Sequence, residues 1–118
     1  MTKAPRSPVT THVLDIQRGQ PAAGVALTLE KSQAAAWLPV AAGTTDADGR
    51  SESLLAAGTS IAAGIYRLTF ATGAYFQKQS LKTFYPSVQV VFEITDSQAH
   101  HHVPLLLSAF GYSTYRGT

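Results

Sequence analysis

From Val9 onward, apolar and polar positions alternate in short runs separated by turn residues, the period-two pattern of half-buried β-strands. Val9–Gln17 is rich in β-branched residues and stops at Arg18-Gly19-Gln20-Pro21. In the next run Val25, Leu27 and Leu29 fall on one face, and Ala26, Thr28 and Glu30 on the other. Trp37–Thr45 predicts a third strand, placed at a sheet edge by Pro39, which has no N–H to give to a ladder. Asp48-Gly49 predicts a tight turn, and the Ala-, Ser- and Gly-rich stretch 51–64 reads as loop. Tyr66, Leu68 and Phe70 then alternate with Arg67, Thr69 and Ala71; Val88, Val90, Phe92 and Ile94 share a face against Gln89 and Glu93. His102–Ser108 is the last long apolar strand, and Gly111–Arg116 adds a short one. Only Gly73–Leu81, without a β-branched residue, predicts a short helix. The pattern is that of an all-β, two-sheet antiparallel sandwich, with no internal repeat.

At 118 residues the chain is one domain, expected over residues 9–118 behind a flexible N-terminal segment, residues 1–8. Cysteine is absent, which excludes disulfides, thiol nucleophiles and thiolate metal sites. A net charge of +2 from scattered basic residues is a poor footprint for nucleic acid or a membrane surface. No apolar run approaches the ~20 residues of a membrane span, and no apolar segment follows Lys3 and Arg6 as a secretory leader would require. The expected compartment is the cytoplasm, or the periplasm had a leader been trimmed. Charged residues make up 14% of the chain, against about 25% in ordinary soluble domains, which points to surface covered by other copies in a symmetric homo-oligomer.

Catalytic signatures such as G-x-S-x-G, the phosphate-binding loop or H-E-x-x-H are missing. Asp46 and Asp48 resemble part of a calcium loop but lack its other ligands, so a hairpin turn is the expected reading. The informative residues are the histidines. In His100-His101-His102, strand alternation puts His101 at the margin of the core with Val103, Leu105 and Leu107. His100 and His102 then share the outer face with Pro104 and Leu106, an apolar company suited to a subunit interface that also lines a pocket. From spacing alone the pair could chelate zinc with a third ligand such as His12, supply a general base, or end a solvated strand. His12 alone reads as a structural histidine and Arg50 as a surface charge.

Thr11-His12-Val13-Leu14-Asp15, Thr45-Asp46-Ala47-Asp48-Gly49-Arg50, His102-Val103-Pro104-Leu105-Leu106-Leu107-Ser108 and the closing Tyr115-Arg116-Gly117-Thr118 together resemble the transthyretin-like family, and within it the 5-hydroxyisourate hydrolases. The resemblance spans almost the whole chain, and the final tetrapeptide is the part that transthyretin itself lacks. It implies a sandwich of seven or eight strands with one short helix, assembled as a homotetramer (a dimer of dimers) with sites in the channel between dimers. It implies hydrolytic ring opening of 5-hydroxyisourate to 2-oxo-4-hydroxy-4-carboxy-5-ureidoimidazoline, on the way from urate to allantoin, without metal or organic cofactor. By matched position, His12, Arg50, His102 and Thr118 would be catalytic. Arg50, Tyr115, Arg116, Gly117 and Thr118 would bind substrate. Two departures stand out: Thr118 replaces the family's usual Ser, and Ser108-Ala109-Phe110-Gly111-Tyr112 replaces Ser-Pro-Tyr-Gly-Tyr. The alternative is a non-catalytic carrier of transthyretin type, which would need neither the histidine pair nor the tail.

Overall fold

The alternating segments pair into two sheets packed face to face. The computed structural model describes residues 6–51 and 53–118. Its elements are β1 (Val9–Asp15), β2 (Gln20–Pro21), β3 (Ala26–Gln33), β4 (Ala36–Thr44), β5 (Arg50–Ser51), β6 (Gly64–Phe70), α1 (Thr72–Gln77), β7 (Val88–Ile94), β8 (His101–Ser108) and β9 (Gly111–Thr114). One sheet has the order β2-β1-β8-β9, with β5 also on β1, and the other the order β4-β3-β6-β7. The inward residue of each strand is the one that alternation assigns. Val9, Val13, Leu27, Leu29, Tyr66, Leu68, Phe70, Val88, Val90, Ile94, Val103, Leu105 and Leu107 are all buried in a single core. Each such aliphatic or aromatic side chain contributes about 1.5–3 kcal/mol by leaving water.

β4 is an edge strand, as Pro39 requires, and Pro39 lies opposite Glu30 where the β3–β4 register shifts. The expected antiparallel pairing has one exception: β1 and β8 run parallel, with Thr10 beside His102, His12 beside Pro104 and Leu14 beside Leu106. Alternation records which face a side chain takes, not the direction of its strand, so this pairing has no local signature. Gln20–Pro21 and Arg50–Ser51, which the sequence presents as part of a turn and a surface charge, are both two-residue strands, β2 and β5, on the other edge of β1. Two residues are too few to show a period. The helix ends at Gln77 rather than Leu81, because Ser80 turns to φ 57° and Leu81 donates its N–H to the Phe76 carbonyl at 3.1 Å, a terminating motif. The Tyr75 hydroxyl donates to Asp15 Oδ2 at 2.7 Å and ties that helix to the end of β1. Burial, then Asp15, raises the Tyr75 pKa, so the phenol keeps this proton.

Of the expected N-terminal segment, residues 1–5 lie outside the described residues. Arg6, Ser7 and Pro8 are tied to the domain: Gly58 N–H donates to the Arg6 carbonyl, Leu55 N–H to Ser7 Oγ, and His101 N–H to the Pro8 carbonyl. Among the described residues no helix is long and apolar enough to cross a membrane.

Candidate active site

Register and parity bring the chemistry to the outer face of the β1–β8 pair. Thr10, His12 and Leu14 point outward from β1, level with His102, Pro104 and Leu106 of β8. His101 points the other way and is buried at 5% exposure, as its parity predicts. On the far side of β1, His12 stands in register with Arg50 of β5.

A turn sets the position of Arg50. Asp46 Oδ1 accepts the backbone N–H groups of Asp48 (2.9 Å) and Arg50 (3.0 Å), so this carboxylate organises the turn that the sequence predicts. Gly49 completes it at φ +75°, where a Cβ would stand 2.4 Å from the Val13 carbonyl oxygen. Only glycine lets the turn close against β1 and deliver Arg50 beside His12. The His12 ring donates from Nε2 to the Asp48 carbonyl at 2.9 Å, because a carbonyl can only accept. Neutral His12 therefore carries its proton on Nε2 and its lone pair on Nδ1.

The C-terminal tail folds back over β8. Gly117 N–H donates to the His102 carbonyl at 2.8 Å. A Cβ on Gly117 would come within 2.6 Å of His102 Cδ2 and 3.2 Å of Pro104 Cγ, so glycine here is a matter of contact with the imidazole itself. The result is a cleft of about 180 Å³ lined by Arg6, Thr10, Arg50, His100, His102 and Thr118. Two guanidinium groups and two imidazoles meet there, and no aspartate or glutamate is among the described residues that line it. That environment favours an anionic or oxygen-rich ligand.

Of the residues singled out in sequence, Arg50, His102 and Thr118 thus share one cleft within a single chain. Gly117 packs on His102, and His12 adjoins Arg50 through the β1–β5 register with Nε2 committed to the turn. Tyr115 and Arg116 line a second cleft of about 280 Å³, between β7 and the tail, with Val90, Phe92 and His101, and His102 borders both clefts. Thr10 and Arg6 carry no sequence signal yet line the first cleft, together with His100, which strand parity places on the outer face with His102. Thr10 looks like any β-branched strand residue, and only the parallel pairing with β8 puts its hydroxyl 2.9 Å from His100 Nε2 and 2.8 Å from His102 Nδ1.

Among the described residues no three His, Asp or Glu side chains cluster as metal ligands.

His101 has a different environment. Its Nδ1 is buried without a hydrogen-bond partner among the described residues, and burial, then the Arg116 charge, lower its pKa below the usual histidine value. The folded chain therefore holds His101 neutral at pH values where the unfolded chain has begun to protonate it. Its contribution to stability is complete above the unfolded pKa of about 6.5 and is lost as pH falls through that value toward the folded pKa. His101→Phe is expected to flatten the fall of melting temperature between pH 7 and pH 5; an unchanged slope would show that His101 protonates freely in the folded state.

Residues 9–117 match the family described as Transthyretin, the HIUase/Transthyretin family. The 5-hydroxyisourate hydrolase of Salmonella typhimurium is 46% identical over 110 residues, covering 93% of this chain and 80% of that one. A solved 5-hydroxyisourate hydrolase from Klebsiella pneumoniae superposes with a TM-score of 0.83 at 35% identity, covering 93% of this chain and 97% of that one. Sea bream transthyretin, solved with thyroxine, gives 0.88 at 34% identity over 95% and 96% of the two chains. A match over nearly the full length, on a shared sandwich, makes this chain a member of the HIUase/transthyretin family.

Proposed function

We propose that the chain is a 5-hydroxyisourate hydrolase whose chemistry takes place between Arg50, His102 and Thr118. The observation that carries this reading is that these three residues, remote in sequence, line one small polar cleft. Its 180 Å³ falls below the roughly 300–1,000 Å³ of sites for drug-sized ligands and suits a single compact ring system. The likeness to the Salmonella and Klebsiella hydrolases supports the choice of substrate.

Hydrolysis of this cyclic amide joins a water oxygen to a ring carbonyl carbon and breaks that carbon's bond to the ring nitrogen. The carbon becomes a carboxylate that stays attached to the five-membered ring, the released nitrogen takes a proton and ends the ureido group, and the product is 2-oxo-4-hydroxy-4-carboxy-5-ureidoimidazoline. The reaction needs a base for the water and a donor for the oxyanion that forms as it adds. His102 is the base, acting through Nε2, since Nδ1 is held by Thr10. His12 is poorly placed for that task at Nε2, which donates to Asp48; it supports the turn that carries Arg50. Arg50, permanently charged and fork-shaped, holds substrate oxygens and stabilises the oxyanion. The hydroxyl of Thr118 orients the water, a duty that Ser would serve equally. No cofactor takes part.

We also assign the working form to a homotetramer in the cytoplasm. β7 and β9 are open edges of the two sheets and border the same cleft, and Phe84, Val91, Phe110, Tyr112 and Tyr115 are exposed. Unpaired edges beside exposed aromatic side chains suit pairing with a second copy. Leu14 and Leu106, half-buried on the outer face, suit a second contact between dimers.

The test is direct. 5-Hydroxyisourate generated by uricase in the cuvette should lose its ultraviolet absorbance faster when the protein is added, in proportion to protein concentration. Unchanged or slowed decay would overturn the hydrolase reading and favour a carrier.

A further inference from the structure

Thr10 Oγ1 lies 2.9 Å from His100 Nε2 and 2.8 Å from His102 Nδ1. The two imidazoles lie nearly parallel, with planes 15° apart and centroids separated by 6.3 Å. Thr10 is buried at 5% exposure, and its hydroxyl comes from β1, whereas His102 lies on β8 and His100 just before it. A hydroxyl has one proton, so at most one of the two ring nitrogens can accept from it and the other must donate. At least one of the two rings must therefore donate to Thr10, which limits the tautomers the pair can hold together.

We propose that Thr10, with His100 behind it, is the positioning residue that fixes the tautomer of His102. In this chain of hydrogen bonds His102 Nδ1–H donates to Thr10 Oγ1, and the Thr10 hydroxyl donates to His100 Nε2. Both neutral histidines are then Nδ1–H tautomers, and His102 carries its lone pair on Nε2, where a base must have it. The opposite direction of donation would place protons on both Nε2 atoms and leave His102 without a lone pair toward the cleft. A base oriented by a hydrogen bond to its second ring nitrogen is a general device of acid–base sites. Here the orienting group is a neutral hydroxyl backed by a second imidazole.

The inference rests on the hydrolase reading, which selects this direction of donation; spectroscopy reads the tautomers without any turnover. Long-range ¹H–¹⁵N correlation of the imidazoles should find His100 and His102 as Nδ1–H tautomers in the wild-type protein. Thr10→Val, of the same shape without the hydroxyl, should shift His102 toward Nε2–H and lower kcat by roughly one to two orders of magnitude with KM little changed. Thr10→Ser should restore both. Should Thr10→Val not fold, His100→Ala, at a half-buried position, removes the acceptor of the Thr10 hydroxyl and should shift the His102 tautomer in the same sense. Wild-type His102 found as Nε2–H, or a folded Thr10→Val with wild-type tautomer and kcat, would overturn the proposal. A wild-type protein with the expected tautomers and no turnover of 5-hydroxyisourate would overturn the hydrolase reading alone.

Discussion

His102→Ala and Arg50→Ala should each lower kcat on 5-hydroxyisourate by about two orders of magnitude or more, while the sandwich still folds. Both side chains are only half-buried, and alanine leaves the backbone pairing of β8 with β1 and of β5 with β1 intact. The losses should differ in kind. Without His102 the water is not deprotonated, so kcat falls and KM changes little. Without Arg50 both ground-state oxygens and the oxyanion lose their partner, so KM rises as kcat falls. Arg50→Lys separates charge from shape: it restores a point charge without the paired N–H geometry and should recover only part of the loss. Circular dichroism and steady-state kinetics on the purified variants check all three. A wild-type rate in either alanine variant would remove that residue from the chemistry.

Deleting residues 115–118 should have the second large effect, bringing turnover near background with the melting transition and assembly state kept. β9 ends at Thr114, so the sheet loses no strand. What disappears is the Gly117–His102 contact and the Thr118 side of the cleft. With the tail gone, His102 faces bulk water, and both its orientation and the strength of Arg50 electrostatics decline. Gly117→Ala is the milder form of the same experiment. Its added methyl would overlap the His102 ring edge, pushing the tail outward and lowering activity without altering any polar group. A truncated chain that turns over normally would place the site away from the tail.

The parts of this structure that were legible in sequence are those governed by side-chain parity. Val88, Val90 and Ile94 had to face inward together once they alternated with Gln89 and Glu93, and they do. The same rule separated buried His101 from outward His102. What stayed hidden depends on pairing between distant segments. Nothing near Thr10 announces that β8 will lie alongside it in parallel, so its hydroxyl between two imidazoles could not be foreseen. Arg50 seemed a solvated charge because β5 is too short for a period, yet Asp46 and Gly49 hold it opposite His12. The closing Tyr-Arg-Gly-Thr segment was recognisable as a unit. In the structure it divides, with Gly117 and Thr118 on the polar side of His102 and Tyr115 and Arg116 on the side of β7.

The most direct measurement is a crystal structure with a planar oxo-purine, such as uric acid, bound in place of the reactive substrate. Its oxygens should lie within hydrogen-bond distance of the Arg50 guanidinium, with a ring carbonyl carbon facing His102 Nε2 and Thr118 closing the far side. Ligand seated instead between β7 and the tail, with Arg50 and Thr118 out of reach, would contradict the assignment of hydrolysis to this cleft.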